Sequence, residues 1–249
     1  SAQQLLFSRM NINYISNTLL QSVWKMAIFC LLFSLAFPIY ALTPDDEFLD
    51  DQWYVETIEL ENAWNESTGD RSVIVAVLDT GVDLDHPELE ENIWVNEGEI
   101  EGDGIDNDGN GHIDDVYGWD FVQEDNSPTP NEDEDGDDGA ISHATAIAGI
   151  IGAVGDNEEG IAGVNWEVQI MSVRILDNFG IGNSNLAHLG VDYAVENGAD
   201  VINLSFTGFD FDDNLRRALK DAYEAGVVVV AAVGNQTGGG LNTDNRAIF

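Results

Sequence analysis

The chain has 249 residues, with 47 Asp and Glu residues against 8 Lys and Arg residues, and a formal net charge of -39. This acidity argues against nucleic acids and anionic membranes as partners, because both bind cationic surfaces. The apolar fraction of 44% excludes a simple disordered acidic chain and suffices for one or two domains. A single cysteine, Cys30, excludes an internal disulfide and a multi-cysteine metal cluster.

The first predicted element is an N-terminal targeting segment. Residues 26–41 (MAIFCLLFSLAFPIYA) are almost wholly apolar, follow Lys25 and contain Pro38. The run is short for a membrane span and ends in a weak small-residue cleavage site, which together predict a secretory signal peptide within a leader over residues 1–41. A buried helix or a short membrane anchor is the alternative. We therefore expect a secreted protein without stable membrane association once the signal is removed.

The rest of the chain, residues 42–249, alternates predicted strands and helices. Continuous β-branched runs predict strands buried on both faces, and apolar residues at helical spacing that end at a glycine predict helices. This order predicts an α/β fold, with a parallel sheet covered by helices and active groups beyond the carboxyl ends of its strands. The predicted strands are 72–78, 168–176, 200–206 and 227–233, and the predicted helices are 143–152, 186–197 and 212–225.

Three polar residues stand at positions suited to chemistry. Asp79 directly follows the first strand, where it could orient a histidine, bind a metal or cap a helix. His143 opens a helix of small residues that allow close backbone approach, unlike His86, His112 and His188 in a turn, a loop and an ordinary helix. A lone histidine is usually structural, and the company of Asp79 and Asn235 is what makes His143 a candidate. Asn235 ends the most hydrophobic strand and could donate to an oxyanion, although Gly234-Asn235 could also be only a turn.

An acidic loop between Asp79 and His143 has the spacing of a calcium site. Residues 102–115 read GDGIDNDGNGHIDD, with Gly111 at the position of the sharp turn in an EF-hand loop. Position 12 is Tyr117 rather than a bidentate Glu, so we expect weak affinity. The loop predicts a calcium site, with a solvated acidic loop as the alternative. The predicted ligands are Asp106, Asp108, Asn110, the carbonyl of His112, and Asp114 or Asp115.

Four segments together resemble the subtilisin-like serine proteases, the subtilases. Residues 75–83 (VAVLDTGVD), with HPEL at 86–89, resemble the aspartate segment of this family. Residues 143–149 (HATAIAG) resemble its H-G-T-H-V-A-G histidine segment. Residues 198–205 (GADVINLS) are similar to the strand that leads into its substrate cleft, and residues 228–235 (VVVAAVGN) to the segment that bears its oxyanion asparagine.

The resemblance runs from about Gln52 to Phe249 and implies a three-layer fold, mostly parallel, with helices on both faces. It implies that Asp79 orients His143, that His143 is the general base, and that Asn235 donates to the oxyanion. The family's serine comes last, in a G-T-S-M-A segment with no counterpart before Phe249. We therefore expect the N-terminal part of a longer catalytic domain, incomplete at its C-terminus and inactive alone.

The resemblance also implies a peptide-binding groove. The chain departs from the family pattern at a few positions in and near this groove. Gly180 and Gly182 would form one edge, along which a substrate pairs as an added strand. The cleft strand would form the other edge, with Thr207 in place of a glycine narrowing the groove. Alanines replace the glycine and second histidine of the histidine segment, for which we expect crowding without loss of activity. The residues concerned are Ser205, Phe206, Thr207, Ala144 and Ala146.

The resemblance places an acidic insertion at about residues 96–138 and aligns Glu88 and Asn157 with a further structural calcium site. The function implied is a serine endopeptidase that acts on peptide or protein substrates. The alternative is a catalytically inactive calcium-binding or interaction module with the same fold. A nucleotide-binding α/β domain is disfavoured, because no G-x-G-x-x-G follows the first strand.

Overall fold

The computed structural model of the protein describes residues 42–131, 135–208 and 211–234. The predicted signal peptide and Asn235 lie outside these residues, so both stay predictions. None of the helices in the described ranges has the length and apolar character needed to cross a membrane.

A parallel sheet of five strands forms the centre of the described residues. The spatial order is β2-β3-β1-β4-β5, and every neighbouring pair is parallel. The longest strand, β1, therefore lies in the middle, with its carboxyl end among the ends of its neighbours. The strands are β1 (Gly69–Asp79), β2 (Gly118–Asp120), β3 (Glu167–Arg174), β4 (Val201–Leu204) and β5 (Val228–Ala231).

Six α-helices accompany the sheet within the described ranges, together with two 3₁₀ turns at Leu49–Asp51 and Glu90–Asn92. Two short helices precede β1, two lie between β2 and β3, and the remaining two alternate with the last strands. The helices are α1 (Trp53–Thr57), α2 (Leu60–Trp64), α3 (Asp138–Ile141), α4 (His143–Gly152), α5 (Ser184–Glu196) and α6 (Asp213–Ala225).

Helices cover both faces of the sheet. Val77 of β1 belongs to a buried cluster with Ala144 and Ala148 of α4 on one face. The next residue, Leu78, points to the other face and belongs to the cluster that contains the buried residues of α5 and α6, among them Val191. Alternation of side chains along a strand explains this division. The predicted three-layer α/β fold is therefore confirmed.

Most of the predicted elements are confirmed, with differences at their ends. The helix predicted over 143–152 has these bounds, while the strands predicted over 200–206 and 227–233 are shorter, at Val201–Leu204 and Val228–Ala231. The short strand β2 and the helices α1, α2 and α3 were not predicted. β2 has only three residues, Gly-Trp-Asp, inside an acidic stretch, so it carries no period from which a strand could be recognised.

Candidate active site

The carboxylate of Asp79 and the imidazole of His143 form a hydrogen-bonded pair at the carboxyl end of β1. Asp79 is the last residue of the strand and is fully buried, and His143 is the first residue of α4. Nδ1 of His143 lies 2.9 Å from Oδ1 and 3.0 Å from Oδ2 of Asp79. The His143 side chain is 42% exposed. With Nδ1 bound to the carboxylate, Nε2 is the nitrogen left to exchange a proton with a nucleophile.

Thr80 connects the strand that carries Asp79 to the helices around His143. Its backbone N–H donates to Oδ1 of Asp79 at 2.8 Å, and its hydroxyl donates to the carbonyl of Ala140 at 2.8 Å. The same hydroxyl accepts the N–H of Ala144 at 3.4 Å. These bonds fix the first turn of α4 against the end of β1, so the spacing of the pair follows from secondary structure.

The contacts of Asp79 distinguish among the roles that its position allows. Its side chain bonds to the imidazole and to the following N–H, not to the N-terminus of a helix. The other histidines have different surroundings. His86 accepts a bond from its own turn at 3.2 Å, His112 packs among aromatic rings, and His188 is buried in α5. The geometry therefore fits an aspartate that orients His143.

A groove runs beside this pair. A cavity of about 420 Å³ has Gly180 and Gly182 on one side and Phe206 and Thr207 on the other. An adjoining cavity of about 310 Å³ brings Ser205 together with Gly180, Phe206, Asp79 and His143. Of the five predicted groove residues, Gly180, Ser205 and Phe206 thus share a cavity with the pair, whereas Gly182 and Thr207 line the adjoining one. The floor of the larger cavity is apolar and includes Ile175, Leu176, Ala187 and Leu215.

The glycine edge of the groove requires glycine for steric reasons. A Cβ on Gly182 would lie 2.6 Å from the carbonyl oxygen of Ile175 and 2.6 Å from Cδ2 of Leu176. Gly180 has φ of +70°, in the left-handed region that residues with a Cβ rarely adopt. Larger residues would displace this edge, so its shape depends on both positions.

The acidic loop gathers three carboxylates at one point. Oxygen atoms of Glu99, Asp106 and Asp108 lie within 4.8 Å of one another. Calcium binds oxygen ligands at 2.3–2.6 Å, so ligand oxygens across one ion are about this far apart. Glu99 is largely buried and stands outside the predicted motif, and sequence reasoning missed it. The group fits a hard divalent cation.

The remaining predicted ligands lie around this group in different ways. The side-chain oxygen of Asn110 accepts the N–H of His112 at 2.8 Å, and its amide donates to Asp108 at 3.2 Å. The carboxylate of Asp114 instead accepts two N–H groups of residues 103–104. Asp115 bonds to the amide of Asn110 at 2.9 Å. Asp115 therefore bonds to a predicted ligand side chain, whereas Asp114 contacts the group through its backbone N–H, which donates to Glu99 at 3.0 Å.

Asp115 also attaches the acidic loop to α5. The hydroxyl of Tyr193 donates to its carboxylate at 2.6 Å, and the ring of Tyr193 packs against His112 with centroids 5.1 Å apart. Burial raises the pKa of Asp115, and the negative charges of Asp108 and Glu99 raise it further. Burial together with the Asp115 charge raises the pKa of Tyr193. The loop is therefore packed onto the fold.

A second acidic group surrounds Glu88 and Asn157, the residues aligned with a further calcium site. The Asn157 amide donates to Glu88 at 3.2 Å. Asp46 lies nearby and is buried, with Oδ2 accepting the N–H of Asp156 at 2.9 Å and Oδ1 without any partner among the described residues. Burial raises the pKa of Asp46, and the Glu88 charge adds to this. An unpartnered buried carboxylate oxygen fits a cation site.

Comparison with known proteins gives consistent matches. Residues 70–247 match the model of the family described as the Subtilase family, Peptidase S8. Thermitase from Thermoactinomyces vulgaris is 35% identical over 78% of this chain and 58% of its own length. Subtilisin-like protease 1 of Plasmodium vivax is 31% identical over 77% of this chain and 29% of its own length.

A solved structure of a protease from Pseudoalteromonas arctica PAMC 21717 matches with a TM-score of 0.58 and 34% identity. The match covers 78% of this chain and 60% of that protease. The chain therefore spans less than two thirds of the length of the relatives that it matches.

Proposed function

Because the chain belongs to the subtilase family, we propose that the protein is a serine endopeptidase that hydrolyses peptide bonds through an acyl-enzyme. The observation that carries the proposal is the pair of Asp79 and His143, at 2.9 Å and at the mouth of a groove. The proposal concerns the full-length protein, since this chain covers 58% of thermitase. The nucleophile in this proposal is a serine that reaches Nε2 of His143.

In the proposed reaction, His143 moves one proton in each half. Nε2 accepts the serine hydroxyl proton while the serine oxygen attacks the peptide carbonyl, and a tetrahedral oxyanion forms. The resulting imidazolium then gives this proton to the leaving amine, and the C–N bond breaks. Water repeats the sequence on the acyl-enzyme, which releases the acid and the free serine. Asp79 keeps the proton on Nδ1 throughout and stabilises the imidazolium.

Asn235 is the proposed donor to the oxyanion. It follows Gly234 shortly after β5, and β5 is parallel to β4. Residues that follow these strands emerge at the same edge of the sheet as Asp79. A preorganised amide at this edge would stabilise the negative charge that develops on the carbonyl oxygen.

The proposed substrate is a peptide segment in extended conformation. It would lie between the edge formed by Gly180 and Gly182 and the edge formed by Ser205, Phe206 and Thr207, which line the adjoining cavities. Backbone hydrogen bonds to either edge would hold the substrate as an added strand. The apolar floor of the larger cavity would accept one of its side chains.

We further propose that the acidic loop binds calcium as a structural ion. Glu99, Asp106, Asp108 and Asn110 would supply oxygen ligands together with the carbonyl of His112. Of the predicted alternatives Asp114 and Asp115, the ligand in this proposal is Asp115, whose carboxylate bonds to Asn110. The ion would offset part of the negative charge of a sequence stretch that contains no Lys or Arg between Arg71 and Arg174. Asp46, Glu88 and Asn157 form the proposed second site.

A secreted location completes the proposal. It rests on the predicted leader over residues 1–41, and extracellular calcium suits sites of weak affinity. The alternative, a catalytically inactive module of the same fold, is not favoured, because the Asp79 and His143 side chains are paired as a peptidase requires.

A peptide-cleavage assay tests the proposed activity. The full-length protein should cleave an internally quenched peptide, and His143→Ala should reduce cleavage to background at an unchanged unfolding temperature. His86→Ala is the matched control, because His86 belongs to a turn outside the pair. Equal cleavage by His143→Ala and the unsubstituted protein would overturn the assignment of the general base.

A further inference from the structure

Among the Lys and Arg residues that the structure describes, Arg174 is the one that is buried. It is the last residue of β3, and it lies opposite Asp79 in the register of β1 and β3. Its side chain is 1% exposed, whereas the other described cations lie on the surface. Burying a guanidinium is costly unless hydrogen bonds and an opposite charge compensate it. The surface cations are Arg71, Arg216, Arg217 and Lys220.

Each donor group of Arg174 contacts a different segment of the chain. Nε donates to the carbonyl of Thr80 at 3.2 Å, and one terminal nitrogen donates to Asn178 Oδ1 at 3.0 Å. The other terminal nitrogen forms a buried ion pair with Asp120 of β2. The guanidinium is planar and delocalised, so its donors hold these three segments in a fixed relation.

The first of these segments is the turn that follows Asp79. Thr80 donates its N–H to the Asp79 carboxylate and its hydroxyl to Ala140, so its position affects both members of the pair. The Asp79 carbonyl accepts the N–H groups of the two residues after Arg174 at 2.9 and 3.1 Å. The end of β3 therefore supports the turn through its backbone and through the Arg174 side chain.

The second segment is the glycine edge of the groove. Asn178 is buried and lies two residues before Gly180. Its side-chain amide donates to the carbonyl of Asn131, and its own carbonyl accepts the N–H of Asp137 at 3.0 Å. Asp137 caps α3, the helix directly before α4. The contact from Arg174 to Asn178 thus connects the groove edge to the segment that leads to His143.

The third segment is the end of β2, where Asp120 holds the Arg174 guanidinium in place. The second oxygen of the Asp120 carboxylate accepts the N–H groups of Val122 and Gln123 at 2.6 and 3.0 Å. The carboxylate is therefore held by its own turn as well as by Arg174. β2 also pairs with β3 directly, with Asp120 opposite Arg174. This fixes the guanidinium from the side away from Asp79.

From these contacts we propose that Arg174 is a positioning residue, which holds the Asp79 turn and the groove edge in one arrangement for hydrolysis. The proposal rests on the proposed peptidase function, because it assigns the arrangement a catalytic purpose. Arg174 does not touch the substrate in this account. It acts through Thr80 on the Asp79–His143 pair and through Asn178 on the groove.

The substitution Arg174→Lys distinguishes a positioning role of Arg174 from a role that depends only on its buried positive charge. Arg174→Lys keeps a cation beside Asp120 but cannot reach Thr80 and Asn178 together, since an ammonium is a compact point charge without the fork. Misplacement of a catalytic group by about 1 Å costs on the order of 10²-fold in rate. We expect a loss of kcat of this size, and a rise in KM from the released groove edge.

Asn178→Ala is the second variant, and it keeps the test decisive if Arg174→Lys does not fold. It leaves the contacts of Arg174 to Asp120 and Thr80 in place and frees the groove edge. We expect KM to rise with little change in kcat. Val173→Ala is the matched control, because Val173 is fully buried in the same strand and belongs to the core cluster that packs on α5 and α6.

The deciding measurement is the NMR signal of the His143 Nδ1–H proton, recorded in the full-length protein and its variants. This signal reports the bond to Asp79 and does not require peptidase activity. We expect it to shift upfield or disappear in Arg174→Lys and to stay in Val173→Ala and Asn178→Ala. The proposal would be overturned if the Nδ1–H signal of Arg174→Lys stayed at its original position and if kcat and KM of this variant equalled those of Val173→Ala.

Failure of the proposed function has a different signature. If the unsubstituted protein cleaves no peptide but the Nδ1–H signal is still lost in Arg174→Lys, the proposed peptidase function is rejected. The proposed positioning of Asp79 by Arg174 is then retained. If Arg174→Lys does not fold, unchanged KM in Asn178→Ala would overturn the positioning of the groove edge.

Discussion

The carboxylate of Asp79 is fully buried, and its surroundings explain how a charge is tolerated there. It accepts a backbone N–H from Thr80 and contacts Nδ1 of His143. Hydrogen bonds to an ionised carboxylate are stronger than neutral ones and offset part of the cost of burial. The carboxylate is thus stabilised by a backbone N–H and by the imidazole of His143.

Replacing this carboxylate by an amide tests its role. In Asp79→Asn an amide can donate to the ring, which favours the tautomer with its proton on the wrong nitrogen. We expect kcat to fall about 10⁴-fold with a nearly unchanged KM, because this is the loss in kcat when the triad aspartate of a serine peptidase becomes an asparagine. Steady-state peptide hydrolysis measures both constants. Asp70→Asn at the exposed start of β1 is the control, and a loss below tenfold in Asp79→Asn would contradict the assignment.

Single residues were predictable where local sequence determines their position. Local sequence made Asp79 and His143 candidates, since Asp79 directly follows a buried strand and His143 opens a helix of small residues, but their roles came from the resemblance of their segments to the subtilases. Glu99 and Asp46 could not be selected, since each lies outside the motif that it joins and meets it only through folding of a loop. Contacts between separate loops leave no period or spacing in the sequence.

At the scale of elements, the acidic loop requires positive charge to offset its closely spaced carboxylates. Its carboxylates repel one another, and backbone N–H groups offset only part of their charge. Glu99 accepts N–H bonds from Asn107 and Asp108 at 2.7 and 3.0 Å, so it organises the loop even without an ion. A divalent cation among these oxygens would stabilise the folded loop in proportion to its affinity.

Removal of calcium tests the proposed site. We expect a chelator to lower the unfolding temperature of the full-length protein, and Glu99→Gln to reduce this calcium-dependent difference by removing one charged ligand. Differential scanning calorimetry with and without calcium measures the difference directly. Glu101→Gln, an exposed neighbour, is the control. Identical calcium dependence in Glu99→Gln and the unsubstituted protein would exclude Glu99 as a ligand.

The N-terminus of α6 gives a prediction about acid stability. Asp212 caps this helix, and the N–H of Leu215 together with the Ser184 hydroxyl lowers its pKa from the ordinary value of 3.8. Because the folded state favours the ionised form, its contribution is complete above 3.8 and is lost as pH falls through the lower folded value. Protonation should therefore weaken the cap only in strong acid.

Urea unfolding of Asp212→Ala and the unsubstituted protein at several pH values tests this sign. We expect the variant to be less stable at pH 6, and the difference to shrink as the pH falls below 3.8. Asp213→Ala is the control, because the neighbouring Asp213 is exposed and does not cap the helix. A difference that grows in acid would be opposite to the predicted direction.

Elements were predictable in proportion to the regularity of their sequence. The helix α4 was predicted with the bounds that it has, and the β-branched part of β1 was predicted over 72–78 within a strand that extends over Gly69–Asp79. The lengths of β4 and β5 were overestimated at both ends, since their parallel pairing covers only Val201–Leu204 and Val228–Ala231. Their position in the sheet, rather than their composition, decides where pairing stops.

At the scale of the molecule, acidic residues are concentrated in the stretch of chain between β1 and the end of β3. The net charge of -39 includes a long stretch without a cation between Arg71 and Arg174. That stretch contains the acidic loop as well as Asp79 and the approach to His143. The single buried cation of the described residues lies at its end, directly behind the pair. Arrangement at this scale depends on strand order, which the sequence order alone did not specify.

The parallel sheet explains how distant segments reach one site. Asp79, Arg174 and Ser205 lie at or just beyond the ends of β1, β3 and β4, at one edge of the sheet. A strand and helix order predicts such convergence for a parallel sheet, which is why fold class and the location of the site were predictable together. The contributions of Glu99 and Asp46 to the proposed cation sites, and the Arg174 network, depend on loop packing and required the structure.

Covalent trapping tests the central claim most directly. A fluorophosphonate should label one serine of the full-length protein, detected by mass spectrometry of its peptides, because Asp79 and His143 activate that serine. The same serine should remain unlabelled in a folded His143→Ala protein and be labelled in His86→Ala. Labelling that persists in His143→Ala, or absence of label in the folded unsubstituted protein, would contradict the assignment of an Asp-His-Ser peptidase.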